Sequence, residues 1–155
     1  MKPDFKFLKP EIDTIPQELK QHKQWVLWKA EERDGKITKI PYDPKNHRKD
    51  SSTNPKTCAP FWQAYKEYKS NGYKGIGFVL TKDDPFCGFD LDKCWTELGA
   101  SAEVAAILQQ LNSYTEKSPS GQGLRVLAKG TLPKTGRKKG KFEVYDTGRY
   151  VTITG

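Results

Sequence analysis

The apolar positions of this chain change their period several times, and those changes mark out its elements. Trp25, Val26, Leu27 and Trp28 form an unbroken apolar run of the length and composition of a buried strand. Asp34-Gly35 then signals a tight turn, and residues 36–40 read as the return strand of a hairpin. Ahead of them, a short helix is expected near Thr14, with Pro16 in its first turn, running through Leu19. After a polar loop over residues 41–55, a helix is expected to open at Thr57 or Cys58. Phe61, Trp62, Tyr65 and Tyr68 recur there at helical spacing and are assigned to the core. Residues 75–81 read as a strand, followed by a tight turn at Asp83-Asp84-Pro85. A second strand over 86–92 is expected to pair with the first. Ser101 caps a helix that carries Val104, Ile107, Leu108 and Leu111 on one stripe. Further strands are expected at 114–117, at 124–128, and at 142–145 continuing through 150–153. About eight strands and three helices, strand pairs alternating with single helices, predict an α/β or α+β domain with a largely antiparallel sheet, and α+β is the class expected.

Composition narrows the partner. The chain has 155 residues, the length of one ordinary domain, and no internal repeat. Hydrophobic residues are 35% and aromatics 12%, enough for a compact core beneath a wet surface. Lysine and arginine outnumber aspartate and glutamate by 27 to 19, giving a net charge of +8 and an isoelectric point of about 9.3. Such a balance favours a polyanion, nucleic acid first. The cysteines, Cys58, Cys87 and Cys94, are odd in number and include no Cys-x-x-Cys pair, and His22 and His47 stand at no metal-ligand spacing from them. A disulfide framework and a recognisable zinc site are thereby excluded, and a cytoplasmic setting is expected. No apolar run approaches the ~20 residues of a membrane span, and the charged start has no signal-peptide pattern. The chain stops directly after a strand, so it is read as one catalytic core, residues 1–155, at the N-terminal side of a longer protein.

Four constellations can carry chemistry. Asp90 and Asp92 stand two apart in a strand, so their carboxylates share a face while Phe89 and Leu91 turn to the core. Two acids held so close repel unless a cation sits between them, and oxygen donors suit Mg²⁺ or Mn²⁺. Residues 118–125, Ser-Pro-Ser-Gly-Gln-Gly-Leu-Arg, form a glycine turn between strands, whose amides, hydroxyls and Arg125 can seat phosphate oxygens. Glu143 sits in a strand between Phe142 and Val144, facing away from both, as a third metal ligand or an outward solvated acid. Arg149 follows, to answer a phosphate or to pair with Asp146. Lys134, Arg137, Lys138, Lys139 and Lys141 crowd an acid-free stretch read as a flexible loop along a phosphate backbone. Each signal alone is weak. An Asp-x-Asp is common, a glycine turn is usually only a turn, and charge runs usually face solvent. Their order matches what two-metal phosphoryl transfer requires.

In these motifs the chain resembles the primase-polymerase domains of the archaeo-eukaryotic primase superfamily, above all those in replication proteins of phages, plasmids and mobile islands. The resemblance runs from Ile15 to Gly155. It is carried by Pro16-Gln17-Glu18-Leu19, Gln24-Trp25-Val26-Leu27-Trp28, Lys39-Ile40-Pro41-Tyr42, Gly75-Ile76-Gly77-Phe78, Gly88-Phe89-Asp90-Leu91-Asp92, Ser118-Pro119-Ser120-Gly121, Gly123-Leu124-Arg125 and residues 143–150. It implies an RRM-like catalytic antiparallel sheet with flanking helices, joined to a small N-terminal α/β unit. The family's metal-binding acids fall on Asp90, Asp92 and Glu143. Its nucleotide-phosphate motif falls on Ser118, Ser120, Gly121, Gly123 and Arg125, with Arg149 a helper. That motif often ends in histidine; arginine can still bind phosphate and stays charged, but it is no proton donor of ordinary pKa.

The resulting expectation is a template-dependent nucleotidyltransferase, a DNA primase and polymerase using Mg²⁺ or Mn²⁺. Its expected partners are a DNA template and primer, nucleoside triphosphates, and a fused or associated helicase and helical priming segment, with no membrane. Lys39, Lys134, Arg137, Lys138 and Lys139 are the candidates for nucleic-acid backbone contacts. The rivals are a non-catalytic single-strand binder, stacking bases on an aromatic sheet, and a metal-dependent nuclease, which needs no triphosphate seat.

Overall fold

The structure, a computed structural model, describes residues 6–50, 54–132 and 136–155. A 3-10 turn at Ile12–Thr14 leads into the one-turn helix α1, Gln17–Lys20. The strands β1 (Trp25–Arg33) and β2 (Lys36–Tyr42) follow, then α2 (Phe61–Ser70), β3 (Gly75–Leu80) and β4 (Phe86–Leu91). The short pair β5 (Trp95–Thr96) and β6 (Gly99–Ala100) precedes α3 (Ala102–Leu111). The chain ends in β7 (Tyr114–Lys117), β8 (Leu124–Lys129), β9 (Gly136–Lys139), β10 (Phe142–Tyr145) and β11 (Arg149–Ile153).

Two antiparallel sheets carry the fold. One has the order β11-β3-β1-β2, the other β7-β8-β4-β10-β9. The β1–β2 hairpin forms as its turn dictates: Asp34 and Gly35 both take positive φ, 50° and 73°, the conformation a two-residue hairpin turn requires. Trp25, Phe61, Phe78 and Phe86 then meet edge to face, with ring centroids 4.9 to 5.9 Å apart, joining β1, α2, β3 and the start of β4 in one core. A second apolar cluster, Leu91, Val104 and Leu124, holds α3 to the outer face of the five-stranded sheet. The Ser101 hydroxyl caps α3 by accepting from the Val104 amide at 3.3 Å.

Several expectations are corrected. The strands at 75–81 and 86–92 do not pair. β3 is buried on both faces and flanked by β1 and β11, so it has no edge for β4. The corner between them is turned by Asp84, whose carboxylate accepts from the amides of Thr81 and Phe86 and from Gln24 Nε2, each at 2.8 Å. Residues 142–153 are not one continuous strand. The turn before Arg149, with Gly148 at φ +67°, sends β10 into one sheet and β11 into the other. The strand count rises to eleven among the described residues. Helix α2 begins at Phe61 behind Pro60, since residues 55–57 form a separate 3-10 turn, and Pro16 precedes α1 as its N-cap. Trp62 is not core: it is 61% exposed, on the flank of α2 beside buried Phe61. The basic stretch is not a loop either. Residues 136–139 form β9, the edge strand of the five-stranded sheet, where lysines discourage a further strand from adding. Lys134 lies outside the described residues.

One contact tests the register of the first sheet. Trp28 and Gly75 are register partners, and a Cβ on Gly75 would stand 2.5 to 2.9 Å from the indole of Trp28, itself 1% exposed. Gly75→Ala is expected to destabilise the fold by about 1–3 kcal/mol, as overpacking does. Urea denaturation would show this as a lowered midpoint with an unchanged slope.

Candidate active site

The site is built where the second sheet meets the open edge of the first. β11 is an edge strand, so alternate backbone groups along it have no ladder partner. Two charged side chains of the second sheet supply partners, one on β11 and one for the residues that follow it. Arg125 donates from Nη1 to the Thr152 carbonyl at 2.5 Å and also to the Thr152 hydroxyl. Glu116 accepts on Oε2 from the amides of Thr154 at 3.0 Å and Gly155 at 2.9 Å. Beside this seam Gly88 of β4 faces Leu80 and Val151, close enough that a Cβ there would meet both at ordinary contact distance, 3.4 Å.

The strand registers then place five charges in one row across the five-stranded sheet: Glu116 opposite Arg125, Arg125 opposite Asp90, Asp90 opposite Glu143, and Glu143 opposite Lys138. Register partners in antiparallel strands share a face, so the row is a single line of side chains. Arg125 reaches Asp90 Oδ2 at 3.6 Å with its other terminal nitrogen. Glu143 holds Lys138 at 3.0 Å and Arg149 at 3.6 Å, and accepts the Tyr145 hydroxyl. The Arg149 guanidinium lies over the Tyr145 ring, 4.0 Å from its centroid. The bond from Tyr145, and then Lys138 and Arg149, hold the Glu143 carboxyl below its usual range. Burial, then the bond to Glu143, pushes the Tyr145 hydroxyl up to about 12.

Asp92 lies one residue beyond β4 and is exposed, its amide donating to the Lys141 carbonyl at 3.0 Å. Lys39 approaches from β2 of the other sheet, and Tyr150 donates its hydroxyl to the Lys39 carbonyl at 2.6 Å. Burial and the Arg125 charge lower the affinity of the Lys39 ammonium for its proton, while Asp90 and Asp92 raise it. Lys39 thus sits within electrostatic reach of Asp90, Asp92 and Arg125.

The turn at residues 118–123 is closed on itself. Gly121 N–H donates to the Ser118 carbonyl at 2.8 Å, Gln122 N–H to Ser120 Oγ at 3.3 Å, and Gly123 N–H to Ser118 Oγ at 3.0 Å. These three amides are therefore engaged within the turn, leaving Ser120 and the backbone of Gly121 on its rim. The Trp95 amide ties the β5–β6 hairpin to the turn by donating to the Gln122 carbonyl at 2.8 Å. Between hairpin and turn lies an open cleft of about 590 Å³, with Lys93, Trp95, Gly121 and Gln122 on its walls. Lys117 holds its ammonium over the Trp95 ring at 4.9 Å.

The donor set suits a hard divalent ion: Asp90 and Glu143 side by side, with Asp92 at the strand end, offer oxygen alone. A recess of about 50 Å³ lies against Asp90, Arg125, Glu143 and Tyr145, a size for ions and water rather than a nucleotide. Among the described residues no three His, Cys, Asp or Glu side chains are already gathered as a metal cage. Two of the acids are instead already paired with cations, Asp90 with Arg125 and Glu143 with Lys138 and Arg149. Sequence reasoning missed Glu116, Tyr145, Thr152 and Lys117. The first was accessible, because closing the hairpin at residues 118–123 sets Glu116 opposite Arg125 by counting back from the turn.

Glu116 yields a test of the seam. Burial raises its carboxyl above the ordinary range, against the hydroxyl of Tyr114 and the charge of Arg125. A carboxyl raised in the folded state contributes stability that is full below its ordinary pKa and is lost as pH rises through the folded value. In urea denaturation from about pH 4 to about pH 8, Glu116→Gln is expected to gain on the wild type as pH rises. A stability difference independent of pH would exclude Glu116 as the titrating group.

No protein-family model matches the chain. It is 46% identical over 145 residues to a DNA primase-polymerase of Nitratiruptor phage NrS-1, an alignment covering 88% of this chain and 20% of that protein. The chain thus spans about one fifth of the length of the curated relative it matches. Across nearly all of its own length, then, the chain is a homologue of a primase-polymerase and contains the segment they share.

Proposed function

We propose that this chain is a template-dependent nucleotidyltransferase domain of the DNA primase-polymerase kind, extending a 3′-hydroxyl with nucleoside triphosphates. The observation that carries the reading is the pairing of Asp90 with Glu143 in register, facing an ion-sized recess, with Asp92 at the end of the same strand. Its fold is proposed to be that of the archaeo-eukaryotic primases, with the five-stranded sheet as the RRM-like catalytic sheet. A helicase and a helical priming segment are proposed companions in a longer replication protein.

Asp90, Asp92 and Glu143 are the residues that would hold Mg²⁺ or Mn²⁺. When bound, such ions activate the attacking hydroxyl and neutralise the leaving pyrophosphate. The chain's own residues do the rest. Arg125, buried and fixed to Thr152, orients Asp90 and adds a permanent positive charge beneath the site. Ser118, by accepting from the buried Gly123 amide, braces the turn that carries Ser120 and Gly121 to the rim, where a triphosphate can rest. The adjoining cleft has the volume of a nucleotide site, and Trp95 gives it an aromatic wall. Arg149 and Lys39 approach from the other sheet as cations for phosphate oxygens. Lys138 and Lys139 on the β9 edge, with Lys134 and Arg137, are proposed to follow the nucleic-acid backbone.

The deciding experiment is metal-dependent incorporation of labelled nucleotides on a primed template. Asp90→Ala with Asp92→Ala is expected to reduce incorporation by more than about a hundredfold. Shortened DNA would identify a nuclease instead. Tight DNA binding without incorporation, indifferent to both substitutions, would identify a binding module. DNA affinity is expected to fall steeply with salt, and Lys139→Ala to reduce the logarithmic salt slope by about one while weakening all sequences alike. A slope unchanged in that variant would remove the β9 edge from the interface.

A further inference from the structure

The cations around the acids fall into two kinds. Arg125 is 8% exposed and tied to both Thr152 groups, so it cannot leave Asp90 without opening the seam between the sheets. Lys138 and Arg149 are 68% and 50% exposed, yet both converge on Glu143, which is only 21% exposed. Among the described residues, Glu143 holds both, and the Tyr145 ring and hydroxyl also hold Arg149. Ion pairs this open are worth little and rearrange easily. The groups facing Glu143 are Asp90 from β4, Lys138 from β9, Tyr145 on its own strand and Arg149 from β11, so the carboxylate is already neutralised by its neighbours.

We propose that Lys138 and Arg149 occupy, in the metal-free protein, the charge position of a divalent ion at Glu143, and that they transfer to the nucleotide's phosphates when an ion and a triphosphate arrive together. The proposal rests on the metal assignment made above. An ion at Glu143 repels both cations, and both are long enough and open enough to turn outward. The nearest new negative charge is then the triphosphate itself. Metal alone must displace two cations that gain no new anionic partner in exchange, so it binds weakly. Metal with nucleotide gives them a destination, so the two bind cooperatively. In this scheme Lys138 and Arg149 are positioning residues that couple the two ligands, while Arg125 stays in place throughout.

The test is Mn²⁺ binding, read from the spin-resonance signal of free Mn²⁺ without DNA, first alone and then with a non-hydrolysable nucleoside triphosphate analogue. Lys138→Met is expected to bind Mn²⁺ alone roughly threefold to tenfold more tightly than wild type. With the analogue present, the same variant is expected to bind more weakly than wild type. Arg149→Gln should behave alike, and Lys138→Arg like the wild type. Unaltered urea midpoints would show that these exposed substitutions leave the fold intact. If Asp90→Asn and Glu143→Gln abolish Mn²⁺ binding while Lys138→Met and Arg149→Gln leave it unchanged, the metal assignment stands and the exchange is overturned. If wild type binds no Mn²⁺, or the carboxamide variants bind it equally well, the metal assignment falls and the exchange with it.

Discussion

The fold depends on how an exposed strand edge is closed. β11 completes the four-stranded sheet but leaves its own outer backbone groups without strand partners. Another strand could satisfy them, which would fuse the two sheets into one and flatten the crevice between them. Here a guanidinium and a carboxylate do it instead. Arg125 takes the carbonyl of Thr152, and Glu116 takes the amides of Thr154 and Gly155. Side chains reach farther than backbone, so the sheets meet at a distance that leaves room for a site. Among the described residues, Arg125 Nε and Glu116 Oε1 are buried atoms without a hydrogen-bond partner, so this joint is not fully satisfied. Such incompleteness is common where function, rather than stability alone, fixes the arrangement.

The same arginine links architecture to chemistry. Its second terminal nitrogen faces Asp90, so the orientation of the candidate metal ligand is set by the contact that joins the sheets. Beyond Asp90 the charge row continues to Glu143 and Lys138, so that two adjacent acids are flanked by a cation on either side. Burial falls along the row, from Glu116 and Arg125, which are buried, through Asp90 and Glu143, to Lys138, which is exposed. One end is therefore rigid framework and the other is adaptable. A site that must admit ions and nucleotide needs both properties, and here they are distributed along one line.

Much of this was legible in the sequence where local rules decide. Asp34-Gly35 specifies its hairpin, Ser101 its helix, and alternation alone puts Glu143 opposite in direction to Phe142 and Val144. Partner choice was not legible. A turn containing Asp83-Asp84-Pro85 reads the same whether it folds a hairpin or turns a corner between sheets. What decides is that β1 and β11 already occupy both edges of β3, and Gln24, 60 residues from Asp84, fastens the resulting corner. The role of Glu116 is likewise fixed by Thr154, 38 residues downstream. The basic stretch was misread because charge runs usually mark loops, whereas an edge strand favours lysine for a reason that exists only once the sheet is known. The family resemblance supplied the three acids together, which no single spacing did.

The late position of β11 sets an order on assembly during synthesis. As the chain emerges from its N-terminus, the β1–β2 hairpin and α2 can form early. Yet β3 lacks its second neighbour, and Arg125 lacks Thr152, until residues 149–153 have been made. Asp90 is therefore oriented by a contact whose other half is translated 27 residues after Arg125. A nascent chain carrying all three acids has no fixed site before that strand arrives, so an incomplete product cannot present a finished catalytic geometry.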